Sequence, residues 1–266
     1  MRDLLNLTRY ELWRMAHMRM CWVYLAVCAV SAASSGRGWG LDGVYSALFS
    51  GTATFVGMML AHFFANDLAT GYAKNLLAGR HVRAVYAGSA VVCALIASVV
   101  FVVAGALAAA FVHNVGGGAL VQPPVVEEYP GAPEPDPYAA LFGERPWGAS
   151  AAWLGELVLV CFVRSLPGIA VAVLTGSRPL GVFAGIMGGG GMFEMILFVF
   201  FQSLGLRVVN DCLWAHNALP TLNDDFWDGV PFTDLLPFAL AIVIVAASVA
   251  LVVLSMRRKD VSNHAD

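Results

Sequence analysis

Three charged residues interrupt stretches of the sequence that are otherwise apolar. Glu156 and Arg164 lie in one such stretch, and Glu194 lies in the next. A charge at membrane depth costs at least ~2.5 kcal/mol on insertion scales, so it needs an opposite charge or a wet cavity. If the two stretches are antiparallel helices, Arg164 and Glu194 lie at similar depths, which predicts an ion pair. The same side chains could instead have a role in substrate passage.

A glycine-rich stretch precedes Glu194. Gly181, Gly185 and Gly189 recur at every fourth position, and small residues at this spacing let helices pack closely. Consecutive glycines also favour a kink or a break, and broken helices beside a charge often line transport pathways. Close packing alone would explain the glycines equally well. The candidate packing or kink residues are Gly185, Gly188, Gly189, Gly190, Gly191 and, in the preceding stretch, Pro167.

Motifs for soluble catalysis or metal binding are missing from the sequence. There is no GxxxxGK[ST] loop for ATP, no HExxH zinc motif and no CxxC pair among the five cysteines. We therefore predict no catalytic residue, no metal site and no cofactor in this chain.

The composition is typical of an integral membrane protein. Of the 266 residues, 59% are hydrophobic and 12% are charged, whereas a soluble domain carries about 25% charged residues. A span needs about 20 apolar residues. We therefore expect an all-α membrane domain over residues 1–266 with six transmembrane helices. The expected spans are 20–36, 44–66, 84–112, 149–175, 180–204 and 235–256.

Basic residues are distributed unevenly between the segments that join these spans. With the N-terminus inside, the positive-inside rule is satisfied and both termini are cytoplasmic. The proline-rich loop 113–148 and the aromatic and acidic loop 205–234 are then extracellular. The expected cytoplasmic basic residues are Arg2, Arg9, Arg14, Arg19, Lys74, Arg80, Arg83, Arg178, Arg257, Arg258 and Lys259.

Residues 1–19 have the pattern of an amphipathic helix. At 100° per residue, Leu4, Leu12 and Met15 fall on an apolar face, while Glu11 and Arg19 break the pattern. Such a helix is expected to lie in the membrane interface. The alternative is a soluble helix that leads into the first span.

The polar segment "NDLATGYAKNLLAGRHVR", residues 66–83, separates two apolar stretches. We predict a short cytoplasmic helix at 67–79, with Asp67 at its N-cap and Gly79 at its C-terminus. Its apolar stripe would dock on the membrane domain, because a helix of this length is marginal alone in water. Its other face would be available to a partner. Alternatively, its basic residues only satisfy the positive-inside rule and contact anionic headgroups.

The order of residues in this segment resembles the permease subunits of ABC-2-type ABC transporters. The matching residues are Asp67, Gly71, Lys74, Asn75, Arg80 and Arg83. In that family the segment is a coupling helix, which rests in a groove of the ATP-binding subunit. The amphipathic start resembles the interfacial elbow helix of the same family.

The resemblance implies a bacterial plasma-membrane exporter of a peptide, drug or lipid-like substrate. ATP and Mg would bind a separate ATP-binding cassette subunit, and a second permease subunit, identical or related, would complete the pathway. Membrane lipids are further partners, and nucleic acid is not expected. The candidate partner-binding residues are Asp67, Thr70, Gly71, Lys74, Asn75, Arg80 and Arg83. The alternatives are a non-ABC channel or carrier, or an intramembrane enzyme that uses Glu156, Glu194 or His62.

Overall fold

The computed structural model of the chain describes residues 2–35, 41–73, 83–115, 146–192, 196, 199–200, 203–205 and 236–261. Seven helices form this part of the chain, and it is all-helical, as expected. They are α1 (Arg2–His17), α2 (Arg19–Ser35), α3 (Leu41–Ala69), α4 (Arg83–Val115), α5 (Pro146–Thr175), α6 (Arg178–Gly189) and α7 (Leu236–Val261).

The expectation of six transmembrane helices is wrong for the described residues. Two helical segments there are long and apolar enough to cross a membrane: Arg83–Val112 in α4 and Leu157–Thr175 in α5. A third is added only if α1 and α2, which are bent by 72° relative to each other, count as one span. These spans are compatible with a membrane protein.

The other helical segments, as far as the structure describes them, are shorter or less apolar than these two. The twelve residues of α6 extend for about 18 Å at 1.5 Å per residue, less than the ~30 Å of a bilayer core. The apolar described part of α7 is Ile242–Leu254, which is also short. In α3, the polar residues Thr52, His62, Asn66 and Asp67 lie among the apolar residues.

Helices α3, α5 and α6 meet at their backbones. A Cβ atom on Gly185 in α6 would lie 2.6 Å from the carbonyl oxygen of Gly57 in α3. A Cβ atom on Gly168 in α5 would lie 2.8 Å from the Cα atom of Gly185. Neither contact leaves room for a side chain, so glycine at these three positions lets the three helices approach this closely.

A tight turn orients these helices. Residues Gly176 and Ser177 join α5 to α6, and Gly176 has a φ of 67°, which favours glycine. The two helices are therefore antiparallel. At the start of α6, Arg178 donates a hydrogen bond to Oδ1 of Asn66 near the end of α3. The end of α3, the end of α5 and the start of α6 thus lie together.

The same end of the bundle carries α1. Its buried residues are Leu7, Thr8, Glu11 and Met15, whereas the apolar side chain of Leu5 on the same helix is 63% exposed. The packed face of α1 therefore includes a carboxylate and differs from the apolar face that the sequence predicted. Beneath it, Phe63 and Phe64 of α3 form edge-to-face aromatic contacts that extend to α4.

Candidate functional site: a buried ionic cluster

Five polar or aromatic side chains meet where α1, α3 and α4 converge. We define the ionic cluster as Glu11 and Arg14 of α1, Asp67 of α3, Tyr72 just after α3, and Tyr86 of α4. Glu11 and Arg14 lie one turn apart on α1, which puts both on the face that packs against the bundle. Asp67 lies in the last turn of α3, and Tyr86 in the first turn of α4.

Arg14 joins the two carboxylates. Its Nη1 donates to Oε2 of Glu11 at 2.8 Å, and its Nη2 donates to Oδ1 of Asp67. The hydroxyl of Tyr86 donates to the other oxygen of Asp67, Oδ2, at 3.3 Å. Both carboxylates have no exposed side-chain surface, and Arg14 is 18% exposed. The cluster therefore links α1 to α3 through the guanidinium of Arg14, and α3 to α4 through the hydroxyl of Tyr86.

Aromatic rings enclose the guanidinium of Arg14. Its Cζ lies 3.8 Å from the ring centroid of Tyr72 and 5.0 Å from that of Phe63. A cation over a ring face gains about 0.5–2 kcal/mol, with the larger values at desolvated sites. Tyr72 also stacks on Tyr10 of α1 at 6.1 Å. These contacts hold the chain that leaves α3 against α1.

Burial shifts the protonation equilibria of the cluster. Desolvation, helped by the charge of Asp67, raises the pKa of Glu11 to about 7, although Arg14 and Tyr72 partly oppose it. Burial by itself would lower the pKa of Arg14, but the hydrogen bond and charge of Asp67 outweigh it and the pKa is raised. Burial also raises the pKa of Asp67, against the opposing effects of Arg14 and Tyr86.

The chemistry of this cluster is ionic. It holds two carboxylates and one guanidinium, and Glu11 Oε1 and the Thr8 hydroxyl have no hydrogen-bond partner among the described residues. The same part of the chain contains no group of three or more side chains that could hold a metal ion. The arrangement can fix α1 to the bundle and can take up a proton.

Three of the predicted partner-binding residues, Asp67, Thr70 and Gly71, lie at the end of α3. Asp67 does not begin a new helix, because α3 continues to Ala69 and the chain turns at Thr70 and Gly71. Thr70 is exposed and its hydroxyl donates to the carbonyl of Asn66 at 2.9 Å. Gly71 has a φ of 72°.

The rest of that segment is described only at its end, where Arg83 begins α4. Lys74, Asn75 and Arg80 lie outside the described residues, as does Gly79.

Arg164 lies near the turn that ends α6. It is 4% exposed, and a Cβ atom on Gly191 would lie 3.1 Å from its Nη2. Gly191 has a φ of 73°, so glycine permits both the turn and the approach of the guanidinium. Glu194, three positions later, lies outside the described residues, as does the side chain of Glu156 in α5. The Arg164–Glu194 ion pair therefore stays a prediction.

The glycine-rich stretch divides at Gly189. Gly185, Gly188 and Gly189 are buried within α6, while Gly190 and Gly191 form the turn that follows it. Gly189 packs on the backbone of Thr54 in α3. In α5 the helix continues without interruption through Pro167.

Sequence reasoning did not assign Glu11, Arg14 or Tyr86 to a site. The available signal was Glu11 itself, an acid at a position where the amphipathic pattern of α1 calls for an apolar residue. Comparisons of the chain with protein-family models, with curated proteins and with solved structures find no match.

Proposed function

We propose that this chain is the membrane-spanning subunit of an ATP-driven exporter of the ABC-2 type. The observation that carries the proposal is the ion pair between Arg14 and Asp67. It ties an N-terminal helix, bent by 72° from the helix that follows, to the residue that precedes the basic segment. An interfacial helix joined to a segment that contacts a motor subunit is the arrangement that such an exporter requires.

In this proposal the end of the bundle that carries the ionic cluster faces the cytoplasm of a bacterium. Arg83 and Arg178 begin α4 and α6 at that end, as the positive-inside rule favours. Val252 of α7 lines a crevice with Ala87 of α4, so the last helix also reaches this end. Both termini are then cytoplasmic in a multi-pass protein of the plasma membrane.

ATP and Mg bind a separate ATP-binding cassette subunit, and a second permease subunit completes the pathway. Lys74, Asn75 and Arg80 contact the cassette subunit. Asp67 is fully buried, so it positions this segment and does not contact the partner itself. Thr70, which is exposed at the turn, is a further contact residue. Movement of the segment moves α3 and α4, and a peptide, drug or lipid-like substrate leaves the cell.

The proposal requires a partner ATP-binding cassette protein, expected from a neighbouring gene, and the test is co-purification of the full-length chain with that protein. Lys74→Glu and Arg80→Glu should abolish the complex and its substrate-stimulated ATPase activity. Arg9→Glu is the matched control, because Arg9 is an exposed arginine on α1, and the complex should survive it. An intact complex with unchanged ATPase activity in the Lys74 and Arg80 variants would rule out this coupling role.

A further inference from the structure

The ionic cluster buries more negative than positive charge when all its groups are ionised. The charges that act on Glu11 are those of Asp67 and Arg14, so two carboxylates share one guanidinium. An uncompensated buried charge costs several kcal/mol, and a group in this position commonly takes up a proton instead. One of the two carboxylates is therefore expected to be protonated.

Hydrogen bonds decide which carboxylate holds the proton. Asp67 receives a donor on each oxygen, from Arg14 and from Tyr86, and such bonds favour the ionised form. Glu11 receives Arg14 on Oε2, and the Tyr72 hydroxyl also acts on this carboxyl group, but its buried Oε1 has no donor within hydrogen-bond distance among the described residues. The proton therefore belongs on Oε1 of Glu11.

We propose that Glu11 is a proton-binding site that controls how tightly α1 docks on α3 and α4. With the proton bound, the cluster contains one anion, Asp67, and one cation, Arg14, and is neutral. When the O–H bond of Glu11 breaks and the proton passes to water, the cluster gains one buried negative charge. Repulsion between Glu11 and Asp67 then weakens the docking of α1.

The groups around Glu11 fit this role. They are Arg14 on its own helix, Asp67 of α3, Tyr72 after α3, and Tyr86 and Cys93 of α4. The partial exposure of Arg14 brings the cluster close to solvent, which gives the proton a short path. The pKa of Glu11, raised to about 7 by burial, lies in the pH range of a cell, so the site can change state there.

The first test measures the proton directly, by infrared spectroscopy of the full-length chain in detergent. A carboxylic-acid C=O band should be present at pH 5.5 and lost at pH 8.5. It should shift when glutamate side chains carry ¹³C, not when aspartate side chains do, and Glu11→Gln should remove it. No such band at pH 5.5, a band that follows the aspartate label, or a band that persists in Glu11→Gln would overturn the proposal.

The second test measures docking, by hydrogen exchange of the α1 amides corrected for intrinsic rates. Between pH 4.5 and about 7, only the docked state holds the proton on Glu11. In this range the protection of the α1 amides in the wild type should fall by about tenfold per pH unit, and it should level off near pH 7. Glu11→Gln mimics the protonated side chain in shape, so its α1 should stay protected across this range. The same pH dependence in Glu11→Gln as in the wild type would show that another group controls docking.

Discussion

Arg14 and Asp67, 53 residues apart in the sequence, form a buried ion pair that fixes α1 to the end of α3. Asp67 has no exposed surface, and Arg14 is held between the rings of Tyr72 and Phe63. The pair lies beside the turn at Thr70 and Gly71, where α3 ends. The position of this turn therefore depends on α1 as well as on α3.

Removal of the guanidinium should destabilise the protein strongly. Arg14→Ala leaves Asp67 and Glu11 buried without a cation, and loss of one partner of a buried pair costs about 3–5 kcal/mol. The measurement is the free energy of unfolding from denaturant titration of the full-length chain in detergent. Arg9→Ala, at an exposed position of the same helix, should change that free energy by less than about 0.5 kcal/mol. Equal effects of the two substitutions would contradict a special role for Arg14.

Stability should depend on pH through Glu11. Below pH 4.5 the carboxyl is protonated in both states, and between 4.5 and about 7 only the folded state holds the proton. The free energy of unfolding therefore falls as pH rises, by about 1.4 kcal/mol per unit, and levels off above about pH 7. Glu11→Gln should remove this part of the slope in parallel titrations from pH 5 to 8. A steeper or unchanged slope in Glu11→Gln would assign it to other groups.

The hydroxyl of Tyr86 should matter because it donates to Asp67. Tyr86→Phe removes the hydrogen bond to Oδ2 of Asp67. Because a hydrogen bond to a charged group contributes about 1.5–3 kcal/mol, the free energy of unfolding should fall by about this amount. Tyr10→Phe is the control, because Tyr10 is 48% exposed and water can replace its contacts. Chemical denaturation of both variants gives the comparison, and a loss confined to Tyr10→Phe would refute the prediction.

The contact between α3 and α6 should not accept a methyl group. Gly185→Ala places a Cβ atom 2.6 Å from the backbone of Gly57, and backbone cannot rotate away as a side chain can. Overpacking of this kind costs about 1–3 kcal/mol. Gly155→Ala in α5 meets nothing within 4 Å, and alanine favours a helix over glycine by about 0.5–1 kcal/mol. The melting temperature should fall for Gly185→Ala and should stay the same or rise for Gly155→Ala. An unchanged melting temperature in Gly185→Ala would disprove the close approach of α3 and α6.

The sequence alone determined the helical class, the positions of most apolar segments and the concentration of arginines where α4 and α6 begin. Each follows from local composition and from the 3.6-residue period of a helix. The every-fourth spacing of Gly181, Gly185 and Gly189 likewise indicated a close-packing face, and the structure locates its contacts on α3 and α5.

Only the tertiary structure decided what the charged residues do. Asp67 suggested a helix cap, but α3 continues past it, and its partner comes from a helix near the N-terminus. Glu11 only interrupted a pattern in the sequence, yet it is buried beside Arg14. Periodicity describes the faces of one helix at a time, whereas the cost of a buried charge depends on which groups distant segments bring within a few ångströms.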